Sequence, residues 1–128
     1  MPRHLIRLAI AGWLAVSSAG MALAQAVPTP AQTEGPYYPL VKPADTDADL
    51  TRVGSGPTAQ GEVLTLRGIV RDCQGTPLAG ARFEIWQTDH QGIYLHPGDG
   101  RTGQRDPNFQ FYGELRTDAQ GGYRFRTI

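Results

Sequence analysis

Past the first two dozen residues, the side chains able to bind a metal or move a proton are few. They are the tyrosines Tyr37, Tyr38, Tyr94, Tyr112 and Tyr123 and the histidines His90 and His96. Three loop acids, Asp89, Asp99 and Asp106, stand close to the histidines and supply the residue types of a carboxylate and imidazole metal cluster. Loop acids and histidines are mostly solvated, and solvation is the expectation for these. No Ser-His-Asp order, no HExxH and no CxxC is present. Gly54-Ser55-Gly56 lacks the lysine and following helix of a phosphate-binding loop. Asp45, Asp47 and Asp49 alternate like the start of a calcium loop, but the glycine and distal glutamate are missing, so a solvated turn is expected. Cys73 is the only cysteine, which excludes an intrachain disulfide. It reads as a small buried hydrophobe or an inert turn residue.

The elements that position these groups follow from composition and spacing. Charge is balanced, with 12 basic and 12 acidic residues, and no basic stripe points to nucleic acid. Arg3, His4 and Arg7 precede an apolar stretch from Leu8 to Val16, and Ala22-Leu23-Ala24 offers small residues for cleavage. Residues 1–24 are expected to be an export signal, too short in its apolar run to span a membrane. The 104 residues that follow carry 10 basic and 12 acidic side chains, a net of −2. That predicts an exported protein, periplasmic or secreted, with no membrane association after cleavage.

Residues 25–60 hold six prolines, Pro28, Pro30, Pro36, Pro39, Pro43 and Pro57. This density forbids a helix and predicts an extended arm wrapped over a body. From residue 62 the pattern changes to period two. Leu64, Leu66 and Val70 share one face and Thr65, Arg67 and Arg71 the other, as in a half-buried strand, with Gly68 marking a bulge or close approach. Further strands are expected over 81–88, Phe111–Thr117 and Tyr123–Ile128. The Asp72 to Pro77, His90 to Gly92 and Asp118 to Gly122 segments form turns, and 97–108 forms a long loop. Short strands at this spacing with no helical stripe predict an all-β sandwich over residues 61–128. The string stops at Ile128 within a patterned strand, so the core is expected to be incomplete at its C-terminal end.

Taken together, residues 66–94 run Leu66-x-Gly68-x-Val70, Gly75, Leu78, Phe83-Glu84-Ile85-Trp86-Gln87 and Gly92-x-Tyr94. This string resembles the signature of the intradiol ring-cleavage dioxygenases, the catechol and protocatechuate dioxygenase family, with Phe83 where an aliphatic residue is more usual. Thr33-Glu34-Gly35-Pro36-Tyr37-Tyr38-Pro39 resembles the family's N-terminal element. Asp106-Pro107-Asn108-Phe109 and the segment from Thr117 to Ile128 are also similar. The likeness covers about residues 28–128, and with the signal it is nearest to the exported bacterial members.

The resemblance implies an all-β, prealbumin-like β-sandwich with the extended Pro-rich arm, holding one non-haem Fe(III) on two tyrosinates and two histidines. The signature's closing tyrosine falls on Tyr94, which is thereby the implied metal ligand and catalytic residue. A trivalent hard cation favours anionic oxygen and draws a phenol of pKa about 10 into its ionised form. The implied reaction takes a small aromatic diol and O₂, cleaves the ring between the two hydroxyl-bearing carbons and gives a cis,cis-muconate-type diacid. Gly35, Pro36 and Tyr37 in the arm, with Gln110 and Tyr112, are the expected pocket residues, while Trp86 and Gln87 are read as structural.

The family's second tyrosine and its histidine pair would follow residue 128. His90 and His96 do not stand at those positions, so the 128 residues alone are expected neither to retain iron nor to turn over. The alternative is an exported, non-enzymatic prealbumin-like spacer or binding module, which the Gly68 to Ala81 and Thr117 to Phe125 segments also resemble. The Glu84 to Tyr94 spacing and the Gly35 to Tyr38 element argue against it. Homo-oligomers are common in the family, but the sequence does not fix the oligomeric state, and the particular catechol stays open.

Overall fold

The computed structural model describes residues 27–128, and the expected export signal at 1–24 lies outside them. Four strands follow in chain order, β1 (Leu64–Ile69), β2 (Arg82–Trp86), β3 (Tyr112–Arg116) and β4 (Gly122–Thr127), with a single 3₁₀ turn at Thr102–Gln104 between β2 and β3. They fall on the segments that alternate in the sequence. The 3₁₀ turn lies inside the segment expected to be loop.

The strands make two antiparallel pairs. In one, β1 runs against β4, with Leu64 opposite Thr127 and Ile69 opposite Gly122. In the other, β2 runs against β3, with Arg82 opposite Arg116 and Trp86 opposite Tyr112. Asp72 and Asp118 build the turns with the same chemistry. Asp72 Oδ1 accepts the Gln74 and Thr76 amides, and Asp118 Oδ1 accepts those of Gln120 and Gly122. These are Asx-type turns, in which a short acid replaces a backbone acceptor.

The Pro-rich arm does more than wrap. Between its prolines, residues 46–50 thread between β3 and β4 and bond to both. The Leu50 amide donates to Arg126 O and the Arg126 amide to Ala48 O, which makes Asp49 a parallel bridge to β4. On the other side the Glu114 amide donates to Thr46 O and the Gln110 amide to Leu50 O. Leu50 is thereby carried into the core, where it is fully buried with Phe109, Phe111, Phe125 and Tyr94. Phe83 stacks on Tyr123 at 4.2 Å and tilts against Phe125 at 5.9 Å, closing the core from β2.

Two expectations are refined. Gly68 makes no bulge, because the β1–β4 register runs unbroken through it. It admits the Tyr123 ring, whose hydroxyl would stand 2.6 Å from any Cβ there. Leu64 and Leu66, expected to be buried, are 47% and 39% exposed. The pair β1–β4 has only two strands, and no described residue packs over these leucines well enough to cover them.

Gly113 sits where the arm crosses β3. A Cβ there would lie 2.5 Å from Leu50 Cδ1 and 2.8 Å from Asp47 O. Gly113→Ala is therefore expected to cost about 1–3 kcal/mol by overpacking. Urea unfolding should show this as a lower midpoint at unchanged slope, whereas an unchanged midpoint would mean that the arm does not pack as described.

Candidate active site

Tyr94 is placed by a loop whose backbone is held by acids. Asp89, buried at 4% exposure, accepts the Gln91 and Ile93 amides on Oδ1 at 2.9 and 3.0 Å. Its Oδ2 takes the Asp106 amide at 2.9 Å. Burial alone would raise this carboxyl, but the amides of Asp106, Ile93 and Gln91 outweigh it and hold the pKa below the usual carboxylate range. Asp106 in turn accepts the Gln60 and Asn108 amides. Asp99 accepts the Arg101 amide at 2.9 Å and the Tyr94 amide at 3.0 Å, and these bonds keep it ionised below its ordinary range. Arg101 closes the loop by donating to Gly92 O at 2.8 Å. The acids that resembled a metal cluster are thus spent on backbone amides.

Behind Tyr94 stands a strained turn. Phe111 has φ +65°, and the Tyr112 amide donates to Gln110 O across it, which marks a γ-turn of the rarer hand. Such a conformation in a bulky residue costs on the order of 1–3 kcal/mol and survives only where its surroundings impose it. Here the Gln87 amide donates to Phe111 O, and the Gln110 amide nitrogen donates to Asp47 O and Tyr112 O. The turn seats the Phe111 ring 6.4 Å from that of Tyr94.

Tyr94 is 7% exposed, and its hydroxyl is buried without a hydrogen-bond partner. Burial pushes the phenol up to about 12. His96 lies parallel to it, with ring centroids 6.4 Å apart. The Gly98 amide donates to His96 Nδ1 at 3.0 Å, which assigns the ring hydrogen to Nε2, and that nitrogen is also buried and unpartnered. Beside them opens a cleft of about 360 Å³ lined by Tyr37, Trp86, Gln87, Thr88, Tyr94, Gly98, Asp99 and Gly100. Its size and aromatic walls suit a small planar ligand.

Tyr94, the implied ligand, and Tyr37, an expected pocket residue, both line this cleft. Gly35 and Pro36 are exposed beside Tyr37 and stand outside the lining. Gln110 and Tyr112 do not line it. Gln110 is 1% exposed and committed to the carbonyls of the arm and the γ-turn. Tyr112 is fully buried and turns its hydroxyl to Glu84 and Glu114, at 2.5 and 2.7 Å. Trp86 and Gln87, read as structural, are cleft walls. Gln87 is also a tie, its amide donating to Ile128 O and accepting from the Thr127 hydroxyl. Their place at the end of a strand, next to the turn that leads to Tyr94, was the signal available in the sequence.

A family profile described as Dioxygenase matches residues 33–128. The protocatechuate 3,4-dioxygenase beta chain of Burkholderia cepacia is 38% identical over 95 residues, 73% of this chain and 40% of that protein. The catechol 1,2-dioxygenase of Acinetobacter baylyi is 36% identical over 100 residues, 78% of this chain and 30% of that protein. The chain thus spans well under half the length of these relatives. Among solved structures, the dioxygenase domain of a dioxygenase carbohydrate-binding protein fusion from Streptomyces sp. SirexAA-E aligns with 80% of this chain and 56% of its own. The TM-score there is 0.57 at 33% identity. The 3-chlorocatechol 1,2-dioxygenase of Rhodococcus opacus 1CP aligns at TM-score 0.59 and 28% identity, over 78% of this chain and 38% of its own.

Tyr94 and Tyr112 are both raised, so these two should ionise later than an ordinary phenol. Tyr94→Phe is expected to remove the transition near 12 from an alkaline absorbance titration. Because the folded state keeps the Tyr94 proton longer than the unfolded chain does, stability should fall as pH rises from about 10 toward about 12. The Tyr94→Phe variant should lose less stability across that window. An identical slope in both proteins would place the phenol in water.

Proposed function

The chain belongs to the intradiol ring-cleavage dioxygenases, and on that premise we propose that the protein carrying it opens catechol-type rings between their two hydroxyl-bearing carbons. The proposed reaction uses non-haem Fe(III) and O₂ and yields cis,cis-muconate-type diacids. The observation that carries this reading is the phenol of Tyr94, buried, without a partner and set at the edge of an aromatic-walled cleft. A buried polar atom left unpaired costs free energy that a ligand can return.

The fit of the metal is tested by that atom. Desolvation disfavours the ionised phenol, and a nearby cation would offset the cost of ionising it. Tyr94 therefore suits one corner of a hard trivalent ion's coordination. Among the described residues no three His, Cys, Asp or Glu side chains gather as a metal site, so they do not make up a coordination sphere. Iron bound there would supply electron withdrawal from a chelated diol.

The chain's own residues do the rest. Tyr37 and Trp86 present rings at which an aromatic substrate can stack or pack edge-on. Asp99 holds the Tyr94 backbone at 3.0 Å, and the Phe111 turn limits how far the Tyr94 ring can swing. The catechol itself is left open, since a single small ring substituent shifts binding by only about 1–3 kcal/mol. A spacer module would have no use for a cleft of this kind with an unpaired phenol. The N-terminal segment supports export to the periplasm or medium.

The test uses the iron-loaded full-length protein with catechol, protocatechuate and hydroxyquinol under O₂. At least one diol should consume O₂ and form a ring-opened diacid. Tyr94→Phe should lower kcat/KM by more than about 100-fold and weaken and shift the visible tyrosinate-to-iron absorption. Full activity in Tyr94→Phe would sink the proposal.

A further inference from the structure

We propose that Lys42 is a positioning residue for the cleft: by bridging the opposed carboxylates of Glu84 and Glu114 it straps the arm across β2 and β3 and so sets Tyr37 as an adjustable wall. The ligand class, an aromatic diol, rests on the function proposed above, whereas the strap rests on geometry alone.

Glu84 and Glu114 are register partners, directly opposite on neighbouring strands. Like charges so placed repel and destabilise a sheet unless something neutralises them. The adjacent pair, Arg82 opposite Arg116, answers only in part. Arg82 reaches both glutamates from a half-exposed position, while Arg116 donates to Gly80 O instead. The missing charge comes from the arm. Lys42, the only lysine in the chain, places Nζ 2.8 Å from Glu84 Oε1 and 2.8 Å from Glu114 Oε2. It also sits 4.7 Å over the Tyr112 ring, a cation–π contact. Burial would raise the Glu84 carboxyl, but hydrogen bonds from Lys42 and Tyr112 and the charge of Arg82 bring it down to about 2. The bridge therefore stays ionised at any working pH.

A second arm residue converges on the same carboxylate. The Tyr38 hydroxyl lies 3.2 Å from both Glu84 oxygens, and its ring meets Trp86 edge-on at 5.1 Å. Tyr37 goes elsewhere. Its ring stands edge-on to His96 at 5.5 Å and lines the cleft. Tyr37 is 55% exposed and carries no hydrogen bond among the described residues, so its place is set by its neighbours in the chain. On the other side, Gly35 at φ +75° turns the backbone, and residues 27–36 are exposed throughout. Tyr38, the buried Pro39 and Lys42 are thus the arm's first firm attachments on the way in from its N-terminal side. Releasing them frees Tyr37 but not Tyr94, which Asp89 and Asp99 hold from another loop.

The experiment compares Lys42→Met and Lys42→Arg with wild type by two readouts. Limited chymotrypsin digestion without added metal should cut after Tyr37 about tenfold faster in Lys42→Met, with cleavage within β2 and β3 changed less than about twofold. In the iron-loaded full-length protein, KM for catechol should rise about five- to tenfold with kcat within about twofold, and Lys42→Arg should restore both. Tyr38→Phe removes only the phenol contact and should shift both readouts the same way by less, which keeps the test open if Lys42→Met folds poorly. Cleavage after Tyr37 as slow as in wild type would overturn the strap. Faster cleavage with an unchanged KM would overturn the positioning role. A wild type that opens no diol ring would count against the ring-cleavage reading, and proteolysis would then decide the strap by itself.

Discussion

The structure depends on one short run of backbone hydrogen bonds, those by which residues 46–50 of the arm are shared between β3 and β4. Each strand pair alone has two strands, too few for an independent sheet in water. The arm gives β4 a parallel neighbour at Asp49 and gives the β3 end acceptors at Thr46 and Leu50. It also delivers Leu50 to the centre of the core. Prolines flank this run on both sides, and none falls within it, where a missing amide would break the Leu50 bond to Arg126.

From that seam the chain reaches the cleft along two routes of different physical character. The loop that carries Tyr94 is held by carboxylates accepting backbone amides, which are strong because the acceptor is charged and short-ranged because the geometry is local. The arm that carries Tyr37 is held by an ion-pair network at the edge of a sheet, partly open to water. The first kind of support suits a residue whose position must not vary. The second suits a wall that can adjust to the ring it meets. Between them, the Phe111 γ-turn stores backbone strain directly behind the Tyr94 ring, as is usual next to a functional group.

Tyr94 illustrates why a buried polar atom is informative. Nearly all buried hydroxyls in folded proteins find a partner. This one has none, and neither has Nε2 of the parallel His96 ring. The desolvation that raises the Tyr94 phenol also makes it responsive to a nearby positive charge, since attraction is strongest where water is excluded. That is the property the family likeness calls for at this position.

The sequence by itself determined the strands and the turns, and it singled out Tyr94 for attention. Alternation of apolar and polar residues, Asx turns and a spaced signature are all local, and local patterns survive without knowledge of the fold. Tertiary structure alone decided which of the neighbouring residues share the cleft. Gln110 and Tyr112 are near in sequence to a plausible pocket wall, yet one γ-turn and two cross-strand carboxylates draw them away. Trp86, Gln87 and Asp99 arrive there instead. The exposure of Leu64 and Leu66 was likewise hidden, because period two names the face of a strand but not what covers it. The seam at residues 46–50 left no mark in the pattern either. Its bonds are backbone bonds, which any residue but proline can make, so only the folded path of the chain reveals them.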